Sequence, residues 1–188
     1  MSSLKTINIP NTITSIGDYA FYGCSSMESS TLPSELTYIG NYAFYGCNSA
    51  KFGALTIPNT VTLIGNYAFA NCNGLISVTV PGSVKTIGQY AFSGCTSLKT
   101  AVIKNGVESI GERTFSDCTA LESLTLPYAG LKDNCIDEKN AISTYLFNLY
   151  VPEGTYSATG NGYNGVPKTL TSITITGGTR IPNRAFYR

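Results

Sequence analysis

The sequence predicts a solenoid, made mostly of β-structure, in which short parallel strands stack coil upon coil and are joined by short helical turns. Two observations lead to this fold class. A nine-residue phrase reads IGQYAFSGC at 87–95, and close copies stand at 16–24, 39–47 and 64–72, with a looser one at 110–118. A segment of the form Leu-x-x-Ile-x-Ile-Pro also recurs once in each unit.

The phenylalanine of each copy measures the period of the array. The seven phenylalanines that hold this position in the repeat are Phe21, Phe44, Phe69, Phe92, Phe115, Phe147 and Phe186. The first four steps between them are 23, 25, 23 and 23 residues, and a period in the low twenties is typical of a solenoid. We therefore expect one array of about seven units over residues 1–188. Both ends fall inside a repeat, so we expect the array to be truncated at both ends.

The extended segments are expected to form the stacked strands. They are residues 4–10, 27–33, 52–58, 75–81, 98–104, 121–127 and 170–176. Alternation along a strand directs the first, fourth and sixth positions to the core and the others outward, and the closing proline suits a strand end. The fifth position forms a possible partner-binding face of Thr31, Thr56, Thr79, Thr125 and Thr174. Threonine also simply tolerates an exposed strand, so both interpretations stay open.

A second extended segment, as in residues 84–87, precedes a glycine and a short helical turn. We expect the phenylalanines and cysteines of these turns to stack as a structural core ladder. Its members are Phe21, Phe44, Phe69, Phe92, Phe115, Cys24, Cys47, Cys72, Cys95 and Cys118.

The five cysteines in register are predicted to be free, buried thiols that act as small hydrophobic side chains. A straight column cannot surround a tetrahedral metal ion, and the chain has no histidine to help. Parallel side chains about 4.8 Å apart are also poorly placed for disulfides. Cys135 is out of register in a polar stretch, where it is either exposed and reactive or an anchor of its loop.

A tyrosine stands two residues before the phenylalanine in most copies. These residues are Tyr19, Tyr42, Tyr67, Tyr90 and Tyr145. Such a column either covers the edge of the core or contacts a sugar or peptide.

Two insertions interrupt the array after Phe115. Residues 128–141 are expected to form a surface loop, and residues 148–166, rich in tyrosine and glycine, a β-hairpin-like insert. Tyr150, Tyr156 and Tyr163 are possible aromatic contacts for a partner. Residues 166–170 bring the chain back into register.

Composition excludes several classes of function. A net charge of +1 with 12% charged residues gives no basic surface for nucleic acid, and no apolar run is long enough for insertion into a membrane. No acidic residue stands between Glu35 and Glu108, so the middle of the chain lacks paired carboxylates. We expect no enzyme activity, no catalytic or metal site and no cofactor.

The combination of Ile-Pro after the strand, Ile-Gly before the turn and Ala-Phe-x-x-Cys resembles the BspA-like leucine-rich repeats. The resemblance implies a leucine-rich-repeat solenoid in a secreted or cell-surface bacterial protein. It further implies adhesion, with a protein or glycan on host or microbial surfaces as the partner. The alternative is a structural spacer with no ligand of its own. Open ends of a solenoid also make end-to-end self-association an expectation.

Overall fold

The computed structural model of this chain describes residues 3–28, 31–127, 146 and 166–177. Strands in these residues, numbered in chain order, are β1 Ser15–Ile16, β2 Tyr38–Ile39, β3 Gly53–Thr56, β4 Leu63–Ile64, β5 Leu75–Val80, β6 Thr86–Ile87, β7 Thr100–Ile103, β8 Ser109–Ile110, β9 Ser123–Leu126 and β10 Ser172–Ile175.

The strands form two parallel sheets that run along the array. The longer strands pair in the order β10-β9-β7-β5-β3, and the two-residue strands pair in the order β1-β2-β4-β6-β8. Every pairing is parallel, as it must be when successive coils wind in the same direction. The predicted solenoid of stacked parallel strands is therefore confirmed.

The core lies between the two sheets and the turns. Phenylalanine rings of successive coils stack with centroids 5.1, 5.0, 5.5 and 5.8 Å apart from Phe21 to Phe115. Phe69, Phe92 and Phe115 are fully buried, whereas Phe21 in the first described coil is only partly buried. Each coil supplies a few apolar side chains, and stacking joins them into one continuous core.

The turn segments are not helical in residues 3–28, 31–127 and 166–177, which corrects the expected short helical turns there, whereas Leu146 of the following unit is helical. In the third coil the amide of Ala70 bonds the carbonyl of Tyr67 within the turn at 3.1 Å. The amides of Tyr67 and Phe69 instead bond the carbonyls of Gln89 and Ala91 in the next coil, at 2.9 and 2.8 Å. Alternate amides thus serve the turn and the neighbouring coil, so a continuous helix cannot form.

The sequence prediction was wrong for the first extended segment. Residues 4–10 contain no strand, although the amide of Glu28 bonds the carbonyl of Lys5 at 2.8 Å and so joins the first two coils. β3 lies at the edge of the long sheet, where its register with β5 shifts between Gly53 and Ala54. A bulge of this kind distorts an edge strand. It lies at the edge of the sheet to which strands from the earlier segments, 4–10 and 27–33, would be added.

The array continues in register beyond residue 127. The buried Leu146 accepts a 3.0 Å bond from the amide of Phe115, which is the bond that Thr114 accepts from Phe92 one coil earlier. Four residues of β10 then pair with β9 in register. The predicted loop 128–141 lies outside the described residues, and of the predicted insert 148–166 only Val166 is described.

Candidate functional site

The strand face is the outward surface of the long sheet, and two rows of small side chains cover it. One row is Ala54, Ser77, Thr100, Ser123 and Ser172. The other row is Thr56, Thr79, Val102, Thr125 and Thr174. Adjacent members stand one strand spacing apart, about 4.8 Å, because the strands pair in register.

The structure brings four of the five predicted face residues together. Thr56, Thr79, Thr125 and Thr174 share one row and are exposed or half-buried, while Thr31 is exposed but lies outside any strand. The sequence analysis missed Ile76, which is 47% exposed beside this face. Ile76 stands at the register shift between β3 and β5, and its signal was an apolar residue at the second position of its segment, which the alternation directs outward.

Ion pairs border the strand face but do not enter its rows. Lys51 Nζ lies 3.0 Å from Glu28 Oε2, and Lys99 Nζ lies 3.3 Å from Glu122 Oε1. Each pair joins adjacent coils, and such exposed pairs contribute at most about 1 kcal/mol. The rows themselves are neutral.

The tyrosine column occupies a different edge of the molecule. Ring centroids are 4.9 Å apart for Tyr19 and Tyr42, 4.7 Å for Tyr42 and Tyr67, and 4.6 Å for Tyr67 and Tyr90. The rings are parallel to within 6°. Arg113 follows in the next coil, with its guanidinium carbon 5.6 Å from the Tyr90 ring centroid and its Nη1 donating to the Tyr90 hydroxyl.

Stacking limits what the column offers to a ligand. Neighbouring rings cover both faces of Tyr42 and Tyr67, so these side chains present edges and hydroxyls to solvent, which favours the covering role. Burial, followed by the neighbouring phenols of Tyr90 and Tyr42, raises the pKa of Tyr67. Tyr145, like Tyr150, Tyr156 and Tyr163, lies outside the described residues.

A second, shorter column was missed by the sequence analysis. Tyr22 and Tyr45 stack with centroids 5.0 Å apart and planes 5° apart, beside Tyr19 and Tyr42. We call Tyr19, Tyr22, Tyr42 and Tyr45 the tyrosine quartet. Its signal was the phrase Phe-Tyr-Gly-Cys, which only the first two copies contain.

The thiol column lies in the core. Each thiol from the second coil onward donates to the carbonyl of the phenylalanine in the coil before, as Cys72 Sγ does to Phe44 at 3.1 Å and Cys95 Sγ to Phe69 at 3.2 Å. Burial raises the pKa of Cys47 and of Cys95 to about 12. The five described cysteines are free and buried, so they are protonated at neutral pH and out of reach of substrates. Cys135 lies outside the described residues.

The described residues form neither a metal site nor a membrane-spanning helix. They contain no cluster of three or more His, Cys, Asp or Glu side chains that could hold a metal ion. Among these same residues, no helix has the length and apolar character needed to cross a membrane.

Comparison with known proteins places this geometry in a family. The model of the BspA type leucine rich repeat region matches residues 1–53 and 48–148, with six copies. A leucine rich repeat protein of T. pallidum is 38% identical over 61% of this chain and 53% of its own, with a TM-score of 0.57. One from Bacteroides ovatus is 31% identical over 61% of this chain and 35% of its own, with a TM-score of 0.43.

A leucine rich cell surface protein of Faecalibacterium prausnitzii is 24% identical over 93% of this chain and 54% of its own, with a TM-score of 0.45. This chain thus spans about half the length, or less, of these solved structures. No curated protein matches it. The family model covers most of its length, and the chain belongs to the BspA type leucine rich repeat family.

Proposed function

We propose that this chain is a non-catalytic interaction module of a secreted or cell-surface bacterial protein, and that it adheres to a protein or glycan through the strand face. The observation that supports this proposal is the register of β3, β5, β7, β9 and β10. It assembles two neutral rows of small side chains on one continuous surface. Small side chains let a partner approach the sheet closely, and Ile76 adds an apolar contact beside them.

The chemistry of the described residues supports binding over catalysis. The candidate nucleophiles of the thiol column are buried, and burial raises the pKa of each. Repeats of this family are generally scaffolds without catalytic groups. The surface location rests on the same family, in which cell-surface proteins are typical.

The test is a pair of variants that differ only in the face they alter. The double variant Thr56→Lys, Thr79→Lys places two long cations on the strand face. The control Thr62→Lys, Thr86→Lys makes the same changes in the same two coils on the side of the short sheet, where Thr62 directly precedes β4, Thr86 lies in β6, and both are exposed. Labelled proteins are then applied to immobilised matrix proteins, mucin glycans and whole bacterial cells. We expect the strand-face variant to lose at least about tenfold in affinity, since an unmatched interfacial cation costs more than 1 kcal/mol.

The control variant should bind as the unmodified chain does. Equal binding by all three proteins to a surface that the chain recognises would contradict the strand-face proposal.

The second candidate function is a rigid spacer, and a ladder of polar side chains favours it. Asp18 Oδ1 accepts a 2.7 Å hydrogen bond from the backbone amide of Asn41, and Asn41 Oδ1 accepts a 2.8 Å bond from that of Asn66. Asn66 Oδ1 in turn accepts a 2.8 Å bond from the backbone amide of Gln89. These bonds tie each coil to the next at an exposed edge. The spacer function predicts that the chain binds none of the surfaces tested.

A further inference from the structure

We propose that the tyrosine quartet is a site of oxidative cross-linking, at which Tyr19 couples to Tyr42 and Tyr22 couples to Tyr45 as dityrosine. Such bonds would join the first described coil covalently to the second. This inference does not depend on the proposed binding function. It rests on four facts about the quartet: ring distance, ring orientation, exposure, and the burial of the competing thiols.

The ring geometry suits formation of the carbon–carbon bond that joins two tyrosines. Each ring of a pair faces its partner, with centroids 4.9 and 5.0 Å apart and planes 3° and 5° apart. Spin in a tyrosyl radical lies on the oxygen and on the ortho carbons, in orbitals perpendicular to the ring. Face-to-face rings therefore direct these orbitals toward each other, and the backbone holds them at this separation as coils stack.

The turn backbone keeps the rings in place before any reaction. Tyr19 and Tyr42 have φ values of 59° and 55°, and their amides bond the carbonyls of Asn41 and Asn66 in the next coil, each at 2.9 Å. Held groups of this kind react with a high effective molarity. Coupling within one molecule should therefore outrun coupling between molecules in dilute solution.

Exposure makes Tyr19 and Tyr22 the tyrosines of this aromatic edge that an oxidant reaches most easily, while their partners Tyr42 and Tyr45 are half-buried. Tyr19 is 56% exposed and Tyr22 is 49% exposed. Tyr67 and Tyr90 are less accessible, and Tyr90 also lies under the Arg113 cation, which disfavours loss of an electron from its ring. We therefore expect oxidation to begin at Tyr19 and Tyr22.

The most easily oxidised side chains in this region are kept out of the reaction. Cys24 and Cys47 are buried, and the thiol of Cys47 donates to the carbonyl of Phe21 at 3.2 Å. Burial leaves these thiols protonated, so they are poor traps for an oxidant that works from solvent. A radical formed at Tyr19 then has Tyr42 as its nearest ring, and one formed at Tyr22 has Tyr45.

The reaction balances with a peroxidase-type oxidant. Hydrogen peroxide, acting through a haem peroxidase, removes one electron and the phenolic proton from each of two tyrosines. The two radicals form a bond between ortho carbons. Each of those carbons then loses its hydrogen as a proton while the phenol oxygen regains one, which restores both aromatic rings. In sum, two tyrosines and one hydrogen peroxide give one dityrosine and two waters.

The experiment treats the dilute, purified chain with a haem peroxidase and hydrogen peroxide, and maps cross-linked peptides from the monomer fraction by mass spectrometry. We expect a peptide pair that joins Tyr19 or Tyr22 to Tyr42 or Tyr45, with a mass lower by two hydrogen atoms and with dityrosine fluorescence. Folded protein should form it at least about tenfold faster than urea-unfolded protein, because unfolding removes the effective molarity of the stack.

Two variants complete the test. Tyr42→Phe with Tyr45→Phe keeps the rings and hence the stacks, but it removes the phenols that Tyr19 and Tyr22 need, so the cross-link should disappear. Tyr38→Phe removes a tyrosine of β2 whose hydroxyl hydrogen-bonds Asp18 and which lies outside the ring stacks, so the cross-link should persist. Cross-links found only between molecules, or spread equally over other tyrosines of the folded chain, would overturn the proposal.

Discussion

The backbone of Gly65 lies directly against the amide of Asn41 in the preceding coil. A Cβ built on Gly65 would stand 2.6 Å from the Asn41 nitrogen, closer than real Cβ atoms approach. Gly40, Gly88 and Gly111 meet the coil before them in the same way, at 2.4 to 2.6 Å. Glycine is therefore required in the Ile-Gly phrase because coils approach closely there, and a side chain would separate them.

The first prediction compares two glycines of this column. Gly65→Ala should lower the free energy of unfolding by about 2 kcal/mol, as overpacking against backbone does. Gly17→Ala is the matched control, since a Cβ on Gly17 meets nothing within 4 Å, and its effect should stay within about 0.5 kcal/mol. Urea unfolding followed by circular dichroism measures both. Equal losses at the two positions would contradict the close-approach explanation.

The second prediction concerns a left-handed position that glycine fills in three coils. Asn71 has a φ of 57°, and the glycines at the corresponding position of other coils, Gly23, Gly46 and Gly94, have φ values of 68° to 71°. Asn71→Ala should cost about 1–2 kcal/mol, because alanine lacks the short polar side chain that lets asparagine tolerate this left-handed conformation. Asn71→Gly should cost less, even though both variants lose the 2.8 Å bond from Asn71 Nδ2 to the Tyr45 hydroxyl. If alanine were as stable as glycine in thermal unfolding, backbone strain would not be the reason.

The third prediction is a loss of stability at alkaline pH. The pKa of Cys95 is about 12 in the folded chain, above its ordinary value of 9.0. A raised thiol pKa means that stability is fully present below pH 9.0 and falls as pH rises toward 12, because only the unfolded thiol ionises there. Each such thiol should contribute a decline of at most about 1.4 kcal/mol per pH unit. Urea midpoints with reductant present, from neutral pH to about pH 10, measure the slope.

Cys95→Ala is the control for this slope. It should be less stable at neutral pH, since the buried sulfur is gone, but its stability should fall less steeply above pH 9.0. All other side chains are the same in both proteins, so the difference between the two slopes reports on the thiol. Parallel pH profiles would show that Cys95 does not titrate on unfolding.

The fourth prediction tests the end of the tyrosine column. Arg113→Lys keeps the charge but loses the planar group that lies over Tyr90 and donates to its hydroxyl, so it should cost about 0.5–1 kcal/mol. A double-mutant cycle with Tyr90→Phe separates the hydroxyl bond from the ring contact. Additive losses in the cycle would argue against a coupling through that hydroxyl.

The sequence by itself determined the coil. Its period gave the solenoid, the alternation in residues 75–81 gave the buried and exposed sides of β5, and the phrase 87–95 identified Ile87, Phe92 and Cys95 as stacking positions that are fully buried. It also placed Leu146 in register. These features repeat, and a repeated apolar pattern can bury itself only by stacking on its own copies.

Only the tertiary structure decided how neighbouring coils meet. No local pattern showed that Tyr67 adopts a positive φ and so prevents a helix, because its amide is engaged by the following coil. The strand-face rows depend on pairing between strands, and Thr31 falls outside them because, among the described residues, the long sheet begins at β3. The pairing of β3 with β5 passes over Ile76, a register shift that no local pattern showed. Contacts between coils join residues more than twenty positions apart, and their geometry exists only once the coils are stacked.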